Sequence, residues 1–153
     1  MAFTRDIVLS DETATQRLAQ TLAPYLRPGD SLLLQGPLGA GKTSLARGII
    51  RALCGPGIEV PSPSFNLVLT YDTPSGPLWH VDLYRVDDPR DVDELGLDEI
   101  QRDGIALIEW PDRLGPWLPR HALTIALTPQ ENRRLASLSG DESWAPRLTD
   151  FHP

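Results

Sequence analysis

The sequence predicts an α/β protein: one domain on a mixed central sheet, flanked by helices, with part of the sheet made of antiparallel hairpins. Three observations predict it. Two short runs, SLLLQG at residues 31–36 and IALIEW at residues 105–110, are apolar almost throughout, the pattern of strands buried on both faces. Two longer segments, at residues 10–26 and 42–55, carry apolar residues at helical spacing. Two pairs of strand-like runs are joined by short turn-forming stretches, TPSG and PQEN, and read as hairpins. A chain of 153 residues with 41 % apolar and 23 % charged residues suits one sizeable core.

In order, RDIVL at residues 5–9 reads as a short strand. SDETATQRLAQTLAPYL opens with capping residues and continues with Leu18, Ala19, Leu22 and Leu26 on one helical face. RPGD ends it. SLLLQG is the first buried strand, and KTSLARGIIRALC after it is a helix stopped by Gly55 and Pro56. PSPSF, residues 61–65, is a stiff loop. NLVLTYD and PLWHVDLYRV form the first hairpin. DDPRDVDELGLDEIQRDG is acidic and partly helical. IALIEW is the second buried strand, WPDRLGPWLP a turn or short helix, and HALTIALT with RRLASLSG the second hairpin. Residues 1–140 therefore form the domain, and residues 141–153 read as a polar, loosely held tail.

The net charge of −7 argues against a broad nucleic-acid-binding face, which needs basic residues. No apolar run reaches the roughly 20 residues that cross a bilayer, and the first residues lack a signal-peptide pattern. A cytoplasmic location without membrane contact is expected. Cys54 is a lone cysteine with no metal-spaced neighbours, and is read as a packing residue.

Gly36, Gly41, Lys42 and Thr43 satisfy G-x-x-x-x-G-K-[ST], between an apolar strand and a helix. Glycines there let main-chain N–H groups turn inward, and with the helix N-terminus they form an anion nest. Lys42 would reach the terminal phosphates of a nucleotide, and the Thr43 hydroxyl would ligate Mg²⁺. Composition supports this independently. Of 14 basic residues, Lys42 is the single lysine and the rest are arginine. A compact ammonium on a flexible stem cannot be exchanged for a planar fork in a tight loop. The fold is accordingly read as a P-loop NTPase domain. Pro37 lacks an N–H, so one donor of the nest is lost; Leu38, Gly39, Ala40, Gly41, Lys42, Thr43 and Ser44 remain.

Hydrolysis needs a metal-holding acid and a group that positions water. Glu109 ends the apolar run IALIE and is the candidate acid. In HVDLYR, strict alternation places His80, Asp82 and Tyr84 on one strand face, either lining the site or exposed to solvent. Ser62 and Ser64 offer hydroxyls on the stiff loop. A guanine-reading [NT]-K-x-D motif needs a second lysine, so ATP is favoured over GTP. DELG at residues 93–96 does not follow an apolar strand and is not read as a switch.

With these pieces in order, the chain resembles the TsaE (YjeE) family over about residues 8–140. The resemblance rests on GPLGAGKTSLARG, VPSPSFNLV, WHVDLYRVDDPRDVDELGLDEI and IALIEWPDRL. It implies an ATPase needed for threonylcarbamoyl-adenosine at position 37 of tRNA, acting with TsaB and TsaD and meeting tRNA only through them. It implies that Gly36 to Ser44 hold ATP and that Thr43 and Glu109 bind Mg²⁺. Lys42, Asp82 and Glu109 are then the catalytic groups. Ser64 falls in the family's S-P-T-F switch in place of Thr. Glu12 and Thr15 fall where relatives approach the adenine. Arg133 is placed at the nucleotide, with Arg134 equally eligible. Trp110 either gates the site or packs in the core. Two other readings stay open on residues alone: a small-molecule kinase on the same loop, which the absence of an Arg-rich lid segment disfavours, and a nucleotide-binding module without turnover.

Overall fold

Strand β1 (Phe3–Leu9) leads into helix α1 (Glu12–Leu22), and β2 (Ser31–Gln35) leads into α2 (Lys42–Cys54). A hairpin of β3 (Val68–Thr73) and β4 (Gly76–Asp82) follows, then the short helices α3 (Arg90–Asp93) and α4 (Leu97–Asp103). Strand β5 (Ile105–Glu109), a 3₁₀ segment (Pro111–Trp117), a second hairpin of β6 (Leu123–Gln130) and β7 (Arg133–Gly140), and α5 (Trp144–Arg147) complete the chain. This computed structural model describes residues 2–63, 67–88 and 90–153.

The seven strands form one sheet in the order β1-β7-β6-β2-β5-β4-β3. The inner pairings β6–β2, β2–β5 and β5–β4 are parallel, and the pairings outside them are antiparallel. The expected mixture is present: two hairpins flank a parallel centre. Strand β2 is buried on both faces because its side chains alternate between two cores. Leu32 and Leu34 join the cluster under α1 and α2, while Leu33 joins a second with Val92, Leu97 and Ile100 of α3 and α4. That double burial is why its run reads as continuously apolar.

Local chemistry fixes the two helices beside β2. Asp11 caps α1, its carboxylate accepting from the Ala14 N–H at 2.8 Å. Leu18, Ala19 and Leu22 then face α2 and the sheet. At the crossing of α1 and α2, Gly48 permits close approach: a Cβ there would lie 2.6 Å from the Ala19 Cβ.

Two expectations are corrected. The strand ending HVDLYR stops at Asp82, not beyond Tyr84, because the Tyr84 N–H turns back to Asp82 Oδ1 at 3.0 Å. His80 and Asp82 share a buried face, whereas Tyr84 sits in the following turn and is exposed. The segment read as a loosely held tail is packed. Trp144, Leu148 and Phe151 are buried in the larger core, and the Trp144 indole donates to the His121 carbonyl at 2.7 Å. Arg147 grips Asp30 through both terminal guanidinium nitrogens, at 2.9 and 2.6 Å, and lies over the Trp144 ring. The Arg5 guanidinium also donates to the Phe151 carbonyl. Trp144→Ala is expected to cost about 3–5 kcal/mol of stability, the usual cost of deleting a buried Trp. Urea unfolding checks this as a lowered midpoint with an unchanged slope; an unshifted midpoint would show the segment to be dispensable.

Candidate functional site

Parallel strands β4, β2 and β5 all end at the same edge of the sheet, and β2, which leads into α2, lies between the later strands β5 and β6. Ligands in open α/β sheets bind at such a carboxyl edge. Here the register brings the chemistry together: Leu34, at the end of β2, pairs with Glu109, and Asp82 pairs with Glu109 from the other side. The loop at residues 36–41 leaves β2 at this point and delivers the first turn of α2. Gly41, the residue before α2, has φ of +104°, a conformation that costs little only for glycine.

A cleft of about 440 Å³ opens there, lined by the loop from Leu38 to Ser44 and by Ser62, Asp82, Tyr84, Arg85, Glu109 and Trp110. Glu109 and Asp82 are both buried in its wall, Glu109 the more deeply. Glu109 holds two contacts. One carboxylate oxygen accepts from the Thr43 hydroxyl at 2.7 Å, and the other meets His80 Nε2 at 2.6 Å. Lys42 is buried too. Its ammonium donates to the Gly36 carbonyl, contacts the Pro37 carbonyl at 3.3 Å, and lies 3.6 Å from the centre of the Trp110 ring. Burial holds this ammonium below its ordinary pKa, while Glu109, Asp82 and Asp112 pull it back up. The cation is therefore held by its own loop and by an aromatic face, with three carboxylates near.

Trp110 adopts φ of +60°, which a bulky residue rarely does. Such a conformation costs about 1–3 kcal/mol and persists where surrounding structure enforces it. It turns the chain sharply after Glu109 and sets the indole against both Lys42 and Tyr84, the latter at 4.9 Å between ring centres. Gating and packing, the two readings of this residue, are not exclusive. The ring packs on the smaller core and also lines the cleft.

A second group of polar residues joins α1 to the cradle. The Ser44 hydroxyl donates to Glu12, and Gln16 donates to Glu12 and Ser44, each at 3.1 Å. The Ser44 bond is the largest influence holding the Glu12 carboxyl below its usual range. Arg134 Nη1 reaches Glu12 Oε2 at 3.2 Å and lies so near Gly41 that a Cβ there would meet it at 2.6 Å. Arg133, one residue earlier on β7, points the other way and donates to Gln130 at 2.9 Å. Of the two, Arg134 is the one against the phosphate loop; both line a small hollow with Asp11 and Glu12. Thr15, expected near an adenine, is fully buried, and its hydroxyl faces Arg134 at 3.5 Å. Ser64 lies outside the described residues.

The donor set fits the groups that the motif implies. A glycine-rich loop, an ammonium and a helix N-terminus suit a polyphosphate. A hydroxyl and a carboxylate 2.7 Å apart are hard oxygen ligands of the kind Mg²⁺ takes. Among the described residues no group of three His, Cys, Asp or Glu could hold a metal alone.

Comparison with known proteins gives a consistent answer. The family model described as "Threonylcarbamoyl adenosine biosynthesis protein TsaE" matches residues 9–136. A tRNA threonylcarbamoyladenosine biosynthesis protein TsaE of Rickettsia felis is 39 % identical over 146 residues, covering 95 % of this chain and 85 % of the relative. Proteins of the same name from Bacillus subtilis and Synechocystis are 38 % and 42 % identical, each over 74 % of this chain and over 70 % and 74 % of their own lengths. The crystal structure of Bacillus subtilis YdiB superposes with a TM-score of 0.80 at 28 % identity, covering 98 % of this chain and 94 % of that one. No helix among the described residues is long and apolar enough to cross a membrane.

Proposed function

This chain belongs to the TsaE family, whose role is in tRNA threonylcarbamoyladenosine biosynthesis, and from that premise we propose that it is a Mg²⁺-dependent ATPase supporting that modification from the cytoplasm. The observation that carries the reading is the Thr43–Glu109 contact at 2.7 Å beside a buried Lys42, at the mouth of a glycine-rich cradle. A fold alone does not give function; this constellation supports one that acts on a nucleoside triphosphate.

Each group has a definable task. Main-chain N–H groups of the loop and the start of α2 grip the phosphates. Lys42 leaves its loop carbonyls and Trp110 to neutralise the terminal phosphates. Thr43 and Glu109 hold Mg²⁺, which would offset the charge that develops on phosphate oxygens during transfer. Asp82, adjacent to Glu109 in register, orients the water that attacks. Arg134 and Glu12 border the cradle on its α1 side, where the nucleoside part of the ligand would leave the loop.

Family membership in this pathway supports a reading of the partners. We take TsaB and TsaD as the proteins this chain engages, with hydrolysis supporting their turnover and tRNA touched only through them. The negative charge of the chain is consistent with indirect contact. The test is co-precipitation of the purified chain with TsaB and TsaD, with ATP, with ADP and with no nucleotide. Association that requires ATP is expected; association indifferent to nucleotide would remove the coupling.

A further inference from the structure

We propose that His80 is the positioning residue for Glu109, fixing its carboxylate so that one oxygen is presented to Thr43 and the bound cation. This rests on the nucleotide-binding reading above and extends it to a residue that this reading leaves without a task. Leu78, His80 and Asp82 alternate onto the face of β4 that lies under α2, and Ile105, Leu107 and Glu109 do the same on β5. His80 pairs with Leu107, so it stands diagonally to Glu109, within reach of a long side chain. The reach is used: Nε2 lies 2.6 Å from Glu109 Oε2.

Among the described residues the contact has no competitor. His80 has no exposed surface, Glu109 is 2 % exposed, and among the described residues His80 Nδ1 has no hydrogen-bond partner. With Glu109 ionised, as a cation ligand must be, the 2.6 Å contact requires Nε2 to carry a proton and donate. Among the described residues, then, the second imidazole nitrogen stands without a partner while the first serves Glu109. Packing alone does not account for that, because Leu or Phe would fill the position without it. Histidines and carboxylates around metal sites act in this way, setting the orientation of a ligand that they hold from behind.

The test uses the intact chain and two substitutions, H80Q and H80N. The longer amide of glutamine can place its nitrogen near the original Nε2, whereas the shorter amide of asparagine cannot. For wild type and both variants, ATP affinity is measured by calorimetry in EDTA and across a Mg²⁺ titration, beside steady-state phosphate release. H80N is expected to bind ATP in EDTA as the wild type does, to need at least about tenfold more Mg²⁺ to reach its tightest binding, and to lose turnover. H80Q is expected to recover most of both. Combining H80N with E109Q should add nothing to E109Q alone. Equal loss in H80Q and H80N, an unchanged Mg²⁺ requirement in H80N, or additive losses in the double variant would overturn the assignment. A wild-type chain that ignores ATP would instead remove the reading beneath it, so the two failures are distinguishable. Thermal melts of the variants separate misfolding from a misplaced carboxylate.

Discussion

Glu109→Gln is expected to lower the rate of ATP hydrolysis by roughly 10²- to 10³-fold, the usual range for removing one preorganised charge-stabilising group, while ATP still binds in the absence of Mg²⁺. The argument begins with burial. Glu109 is 2 % exposed and holds its place through Thr43 on one oxygen and His80 on the other. Glutamine keeps the shape and one acceptor oxygen, and the Thr43 hydroxyl can rotate to accept from the new amide. The fold should therefore survive. What is lost is the negative charge, and with it a hard anionic ligand for Mg²⁺. Phosphate release at saturating Mg·ATP measures the first effect. The disappearance of the tightening that Mg²⁺ gives to ATP binding measures the second. Undiminished turnover in this variant would require the cation to be held elsewhere.

Lys42→Ala should remove most nucleotide affinity. Truncating one partner of a buried charged contact costs about 2–5 kcal/mol, and about 3 kcal/mol is roughly a hundredfold in Kd. The net effect is smaller than the gross attraction because the ammonium already has partners to give up: two loop carbonyls and the Trp110 face. The same geometry predicts an unimpaired fold. Burial holds the ammonium below its ordinary pKa, so the site does not fully offset the cost of keeping that charge there. Loss of ATP binding with an unchanged melting temperature is the expected pair of results. Binding retained at wild-type strength would leave the single lysine of the chain without a function.

The parts of the site that were legible in the sequence share a cause. The cradle is local: six residues of loop, a strand before and a helix after, with chemistry tied to fixed spacing. Glu109 was legible because a carboxylate ending an apolar run contradicts its surroundings. Asp82 was half legible. Alternation placed it with His80 on one face but could not say whether that face met solvent or α2; the pairing of β4 with β5 decides it.

What was not legible depends on long-range register. Neighbouring residues on a strand point to opposite faces, so Arg133 and Arg134 cannot be told apart until the hairpin is in place. Strand β6 runs on through Gln130, and the turn narrows to Glu131 and Asn132, which sets Arg134 opposite Leu9 and turns it toward Gly41. Thr15 departs from expectation for a similar reason: its place in α1 is near the cradle, but its side chain faces inward. The terminal segment departs for a different one. Trp144, Leu148 and Phe151 recur at helical spacing, a visible signal masked by the polar residues around them. Gln16 carries no motif of its own, and HVDLYR places His80 on a face without saying what it touches; both roles exist only through their contacts.

The central claim is that the loop at residues 36–41 and the first turn of α2, with Lys42, Thr43 and Glu109, grip a triphosphate together with Mg²⁺. Calorimetric titration of the unaltered chain with ATP, with and without Mg²⁺, tests it most directly. Saturable binding of one ATP per chain, tightened by Mg²⁺, is the predicted result. No saturable binding in the presence of Mg²⁺ would contradict it.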